Sequence, residues 1–323
     1  MERPGLRGSP FSDQVPARAN KRTPVAKGLS ERSTMAEMHC DVAIIGAGTA
    51  GLAAERAARR DGARTLLIDD RFAGTTCATV GCMPSKLLIA AANAAHNVRK
   101  ASIFGIRTSE PAIDGQAVMV RLRKERDAFV SSTLKTISEI PFGICVRQRA
   151  RFIDARTLQL DDGRRVSAKA FVVATGARPA VPKVFDGLKD LVLTNESVFE
   201  LPTLPRSMAV VGAGPLGLEL AQALTRLGVE THVFEQSDRL SAIPDTDVAN
   251  AFISQLSAEL SIHLGIGLEA ARTGDLVQIS WSGTSSGMKT FEAGTSTAQA
   301  AMRGVARRKN DWSPPCKSSR GIT

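Results

Sequence analysis

The 323-residue sequence predicts an α/β chain built around two copies of a strand–turn–helix–strand unit. Two observations carry this. A glycine-patterned turn occurs twice, each time directly after an apolar run of strand length. In both copies an acidic residue ends the following strand 23 positions after the first glycine. The first unit runs from a strand at Asp41–Ile45 through the turn Gly46-Ala-Gly-Thr-Ala-Gly51 to a helix over 52–60, a strand at Thr65–Ile68 and Asp69. The second runs from Met208–Val211 through Gly212-Ala-Gly-Pro-Leu-Gly217 to a helix over 218–227, a strand at Thr231–Phe234 and Glu235. The copies lie 166 residues apart, which predicts two separate Rossmann-like dinucleotide-binding domains.

Between the units the sequence predicts two helices and a meander. The helices cover 84–99 and 117–138, the second with Val130, Leu134 and Ile137 at helical spacing. The meander strands are Ala150–Ile153, Thr157–Leu160, Val166–Ser167 and Ala170–Val173, with Asp162-Gly163 as a hairpin turn. After Glu292 neither periodicity continues. The expected organisation is a disordered basic extension over 1–38, a first domain over 39–190, an incomplete second domain over 191–293 and a disordered basic tail over 294–323. The first residues read as an extension ahead of a start at Met35 or Met38.

Composition narrows the function. The net charge of +10 would suit a nucleic-acid binder, but residues 1–38 hold +3 of it and residues 293–323 hold +5. The excess therefore sits in ends without apolar periodicity, and nucleic-acid binding is not expected. No run reaches the ~18 apolar residues of a membrane span. The five cysteines are Cys40, Cys77, Cys82, Cys145 and Cys316. An odd number, and an N-terminus without a secretory apolar region, argue for a cytoplasmic protein rather than a secreted disulfide scaffold.

Each glycine of the two turns has a physical reason. The first permits the tight turn, the second lets the backbone approach a pyrophosphate, and the third lets helix pack on strand. The helix N-terminus then offers unpaired N–H groups to phosphate. An acid at the end of the second strand accepts hydrogen bonds from ribose hydroxyls. Glu235 would repel a 2′-phosphate and so favours NAD, while nearby Arg239 keeps NADP open.

The segment Gly74-Thr-Thr-Cys-Ala-Thr-Val-Gly-Cys-Met-Pro-Ser-Lys86 places two cysteines five apart at a helix start. A helix N-terminus and a nearby lysine both lower a thiol pKa, a condition that suits a redox dithiol. A metal half-site is the other reading of Cys-x4-Cys. His39, His96, His232 and His263 are isolated in sequence and complete no cluster, so no metal is expected.

This segment resembles the flavoprotein disulfide reductases that include dihydrolipoamide dehydrogenase, glutathione reductase and mercuric reductase. It departs from their pattern only at Thr75, where the family has a second glycine, which is expected to burden that turn. The family's Ala-Thr-Gly strand end is matched by Ala174-Thr175-Gly176, and the motifs keep the family's order from about Cys40 to Glu292. The resemblance is strongest to dihydrolipoamide dehydrogenase. It implies that Gly46, Gly48 and Gly51 hold the FAD pyrophosphate, that Asp69 holds its ribose, and that Thr76, Thr175 and Gly176 border the cofactor. Ala150 would meet the adenine through its backbone. It also implies that Cys82 faces the flavin, that Cys77 exchanges with the substrate, and that Lys86 sits by the flavin paired with Glu219. Gly212, Gly214, Gly217 and Glu235 would hold NAD.

The implied activity is a two-electron relay between NAD(H), FAD, the Cys77–Cys82 couple and a small-molecule or lipoyl-type disulfide. A mercuric or glutathione reductase-like enzyme is the alternative within the class, and a non-catalytic nucleotide-binding fragment is the alternative outside it. The family's completing strand, its second Gly-Asp flavin segment and its C-terminal dimerisation domain with a His-Pro acid/base are not found in the sequence. The expected consequence is an impaired chain lacking the family's homodimer contacts. A frameshift or gene-model error after Ala293 is the expected origin, with a natural short paralogue bearing a basic tail as the alternative.

Overall fold

The computed structural model describes residues 37–188, 190–240 and 243–292, and the backbone of 295–296. The expected extension before Glu37 and most of the expected tail lie outside the described residues.

The first unit opens with β1 (Glu37–Ile45), α1 (Thr49–Arg60) and β2 (Thr65–Ile68). Two helices carrying the cysteines follow, α2 (Thr76–Thr79) and α3 (Cys82–Lys100), and then the long α4 (Gly115–Ser138). Strands β3 (Cys145–Val146), β4 (Ala150–Asp154), β5 (Thr157–Leu160) and β6 (Arg165–Val173) complete a six-stranded sheet of order β3-β2-β1-β6-β5-β4. The members β3, β2, β1 and β6 run parallel, and β5 and β4 are the antiparallel meander.

The second unit comprises β7 (Val192–Leu193), β8 (Ser207–Val211), α5 (Pro215–Arg226), β9 (Glu230–Phe234), α6 (Thr246–Ser257) and β10 (Ser261–His263). A separate antiparallel sheet follows, with β11 (Ile266–Thr273), β12 (Leu276–Gly283) and β13 (Gly287–Phe291) in sequence order. The last described strand, β14 (Thr295–Ser296), lies between β8 and β7 in the parallel order β10-β9-β8-β14-β7.

The two units stop their first helices in the same way. Gly62 and Gly228, each 16 residues after its unit's first glycine, take φ +84° and +89° just beyond α1 and α5. A left-handed glycine there ends a helix without a Cβ clash, so the chain turns at once into the next strand.

Three boundaries depart from expectation. Glu37 and Met38, placed in the disordered extension, begin β1 and pair with Arg165 and Val166 of β6. Val166–Ser167 and Ala170–Val173, read as two strands, form one nine-residue strand because β1 pairs on both sides of the gap, Cys40 with Ala168 and Val42 with Ala170. Within the expected tail, residues 295–296 pair in parallel with β7 and β8. A ladder is held by backbone groups, so it needs no apolar alternation in its sequence.

The largest core joins the two units. Leu88 and Ala92 of α3 and Met119 and Leu122 of α4 are buried together with Met208, Leu220 and Leu224 around β8 and α5. The helix that starts at Cys82 is thereby packed against the helix that starts at the second glycine turn. The antiparallel sheet closes a further core, in which Val277, Ile279 and Phe291 cover Ala209 and Phe234.

Candidate functional site

The first glycine turn is locked against the end of β6. Gly46 has φ +103°, and a Cβ on it would lie 2.3 Å from the Ala174 carbonyl oxygen. A Cβ on Gly51 would lie 1.8 Å from the Gly46 carbonyl oxygen. At Gly48, by contrast, an added Cβ meets nothing within 4 Å. Two glycines thus serve protein packing, and the middle one borders open space ahead of α1.

The helix starts differ in what occupies their first turns. Among the helices, α2, α4 and α6 carry side-chain caps from Thr75, Asp114 and Asp245. The N-termini of α1, α3 and α5 have no side-chain cap and no acid in their first turn. These three helices begin at the two glycine turns and at Cys82. Their first N–H groups and positive dipole ends therefore remain for an anion or a thiolate.

The acids tie each turn to its second strand. Asp69 Oδ2 accepts from the Ala47 N–H at 2.9 Å, and Oδ1 accepts from the N–H groups of Arg71 (2.9 Å) and Phe72 (2.7 Å). Burial alone would raise the Asp69 pKa, but these backbone donors outweigh it and hold the carboxyl below its ordinary range. Glu235 repeats the geometry: Oε2 accepts from the Ala213 N–H at 2.9 Å and Oε1 from the Ser237 N–H at 3.0 Å. Both acids keep lone pairs for a further donor.

Ala150 begins β4, with the Arg149 Nε donating to Asp70 Oδ2 at 2.8 Å, so it stands beside the Asp69 loop. Thr175 and Gly176 are exposed after β6, and Gly176 has φ +69°.

The cysteines meet across a two-helix step. Cys77 lies in α2 and Cys82 opens α3, joined by Val80 and Gly81. A Cβ on Gly81 would come within 2.8 Å of the Thr76 carbonyl oxygen, so only glycine lets the chain fold back this tightly. Both cysteines are free thiols. Thr75 does not burden the turn as expected. It has φ −98°, which any residue adopts, and its Oγ1 accepts from the Ala78 N–H at 3.2 Å as the cap of α2.

The Cys77 thiol is raised above its ordinary pKa. The hydrogen bond to Cys82 is the largest cause, followed by burial and the Cys82 charge. This corrects the expectation of a depressed value. With Cys82 beside it and part of its surface withdrawn from water, the charged form of Cys77 is disfavoured. Cys82→Ala removes that partner, so Cys77 should alkylate faster at pH 8 than in the native chain; an unchanged rate with iodoacetamide would show the sulfurs do not interact.

The predicted Lys86–Glu219 pair is present, with Nζ 3.0 Å from both carboxylate oxygens. It bridges the first turns of α3 and α5. The side chains are 60% and 44% exposed, so the pair contributes little to stability. Glu219→Gln is expected to change unfolding free energy by less than ~1 kcal/mol in urea titration.

A cavity of about 450 Å³ opens beside Cys77 between α1, α2 and α4. Leu52, Met83 and Phe129 give it apolar walls, and Arg56 and Thr75 give it polar ones. The sequence held no signal for this grouping. Another cavity, of about 490 Å³, lies around Phe72, Phe142 and Arg147 and contains neither member of the pair.

Residues 40–294 match the family described as pyridine nucleotide-disulphide oxidoreductase. The chain belongs to that family. The mercuric reductase of Staphylococcus aureus is 32% identical over 233 residues, which cover 70% of this chain and 41% of the relative. The mercuric reductase of Shigella flexneri is 39% identical over 204 residues, covering 61% and 36%. This oxidoreductase-family chain therefore spans less than half the length of either relative. The Cu(II) complex of the HOCl-induced flavoprotein disulfide reductase RclA from Escherichia coli superposes with a TM-score of 0.64 at 20% identity, covering 80% of this chain and 56% of that one. That likeness establishes the fold.

One further expectation is revised by the structure. His232 and His263, read as isolated, stack with ring centroids 5.4 Å apart, and Nδ1 of the first lies 3.1 Å from Nε2 of the second. Adjacent strands β9 and β10 bring together what the sequence separates. Among the described residues no group of three or more His, Cys, Asp or Glu could hold a metal ion, and no helix is long and apolar enough to cross a membrane.

Proposed function

We propose that this chain is the nucleotide- and thiol-bearing part of an FAD-dependent disulfide oxidoreductase that draws electrons from NADH and passes them to a small-molecule disulfide. The observation that carries the reading is the placement of Cys77 in α2 and Cys82 at the uncapped start of α3, folded back on each other at Gly81 and tied by Lys86–Glu219 to the helix of the second glycine turn.

Gly46, Gly48, Gly51 and the first N–H groups of α1 would hold the FAD pyrophosphate, with Asp69 on its ribose, Ala150 by its adenine, and Thr76, Thr175 and Gly176 along its edge. Gly212, Gly214, Gly217 and Glu235 would hold NAD, the Glu235 carboxylate disfavouring a 2′-phosphate. Bound FAD would supply two-electron exchange between the nicotinamide and the dithiol. The chain's own residues do the sulfur chemistry. Cys77 loses its proton, attacks one sulfur of the substrate and releases the other as a thiol. Cys82 then attacks Cys77 and releases the second thiol, so two electrons and two protons leave the pair. The cavity at Cys77 admits the substrate, and the Arg56 guanidinium favours an anionic one.

Two substrate readings follow from different observations. The motif pattern favours a lipoyl-type dithiol of the dihydrolipoamide dehydrogenase kind. The relatives named mercuric reductase favour mercuric ion, which a dithiol pair would bind as substrate. A glutathione disulfide reductase would be marked by a preference for NADPH.

The test is an absorbance spectrum of the purified full chain with and without added FAD, followed by NADH oxidation with lipoamide, mercuric ion and glutathione disulfide in turn. Retained flavin is expected, with NADH oxidation on one of them slower than a complete family enzyme shows. A colourless chain that takes up no FAD would instead mark a fragment without this chemistry.

A further inference from the structure

The loop between the two cysteines is held from outside by one side chain. The Asn195 Nδ2 donates to the Val80 carbonyl oxygen at 3.2 Å, across 115 positions of sequence. A carbonyl oxygen only accepts, so the amide nitrogen must be the end that faces it. Val80 is three residues after Cys77 and two before Cys82.

Asn195 is itself firmly placed. It sits in a turn where the Thr194 N–H donates to Ser197 Oγ at 3.0 Å, and the Ser197 and Val198 N–H groups donate to the Thr194 oxygen at 3.0 and 2.9 Å. The turn is anchored by Val198 and Phe199, which are 2% and 1% exposed in the core shared with α3 and α5. This segment follows β7 and belongs to the second unit, while the cysteines belong to the first.

We propose that Asn195 is a positioning residue for the redox couple, holding the Cys77–Cys82 loop so that the two sulfurs stay within bonding reach. The proposal rests on the reading of that pair as a redox dithiol. Ring closure between two thiols depends on how often the loop presents them together. The Gly81 step makes the fold-back possible, and the bond to Val80 fixes the middle of it. Losing the bond frees the loop in the dithiol and weakens disulfide formation relative to an external couple.

The experiment equilibrates the full chain with mixtures of reduced and oxidised dithiothreitol and counts remaining thiols by alkylation. Two electrons and two protons pass from Cys77 and Cys82 to the ring of oxidised dithiothreitol, which opens to its dithiol. For Asn195→Ala the equilibrium constant for the protein disulfide should fall about three- to tenfold, the worth of one net hydrogen bond. That is a couple about 15–30 mV more oxidising. Asn195→Asp keeps the shape and the turn but presents oxygen to oxygen, and it should fall at least as far. Thermal melting is recorded for each variant, since a merely structural role would lower the melting temperature without moving the equilibrium. A native-like equilibrium constant in either variant overturns the proposal and leaves the redox reading intact. Failure of the native chain to form a Cys77–Cys82 disulfide at any ratio overturns that reading, and the proposal with it.

Discussion

Gly46→Ala is expected to cost about 2–5 kcal/mol of stability, enough to unfold a large fraction of a marginally stable chain. Two terms add. A left-handed backbone at φ +103° costs a non-glycine residue roughly 1–2 kcal/mol. The new methyl would stand 2.3 Å from the Ala174 oxygen and 2.8 Å from its carbon, and these are backbone atoms of the β6 end that no rotamer change can move. Shifting that backbone costs about 1–3 kcal/mol more. Gly48→Ala is the matched control. Its Cβ meets no protein atom within 4 Å, so unfolding should stay within about 0.5 kcal/mol of the native value. The same methyl would fill the space in front of α1, and flavin retention should fall. Urea unfolding and bound-flavin absorbance of both variants check this. Equal stability of the two variants would mean that the turn does not pack on the Ala174-Thr175-Gly176 strand end.

Cys77→Ser should lower disulfide reduction by the reduced chain by at least about 10³-fold, since it removes the attacking sulfur rather than a group that assists it. Stability should change little, because Cys77 is only partly buried and the α2 cap at Thr75 is untouched. Cys145→Ser is the comparison. Cys145 is an exposed thiol on β3, away from the pair, and its loss should leave turnover unchanged. Among the described residues the buried thiol is Cys40, whose pKa is pushed up to about 11, chiefly by burial, so that it is not available as a nucleophile at neutral pH. The measurement is single-turnover reduction of a disulfide by the reduced chain. Comparable rates in Cys77→Ser and Cys145→Ser would transfer the chemistry away from Cys77.

Much of this could be read before any coordinates. The two glycine turns, their flanking strands and the acids at Asp69 and Glu235 are local patterns, and local patterns are written in consecutive residues. The dithiol segment was equally legible, because Cys77, Gly81 and Cys82 lie within six positions. Lys86–Glu219 was reached through family resemblance, since nothing in the sequence marks two residues 133 positions apart as neighbours.

What the sequence misjudged was set by partners distant along the chain. The expected low thiol pKa at Cys77 counted the helix end and the lysine but not the neighbouring Cys82 and the partial burial, and Lys86 is engaged with Glu219. Glu37 and Met38 looked structureless because their strand partners, Arg165 and Val166, lie 128 positions away. Thr75 was judged as a missing glycine, whereas its hydroxyl found the Ala78 N–H.

The sequence by itself determined the two nucleotide-binding units and the dithiol, because turn chemistry, strand length and cysteine spacing are properties of contiguous residues. Only the tertiary structure decided that Asn195 reaches Val80, that His232 meets His263, and that Arg56 shares a cavity with Cys77. Those pairings arise when separate elements pack on a common core, and packing is specified by the shape of the whole buried surface rather than by any single stretch of chain.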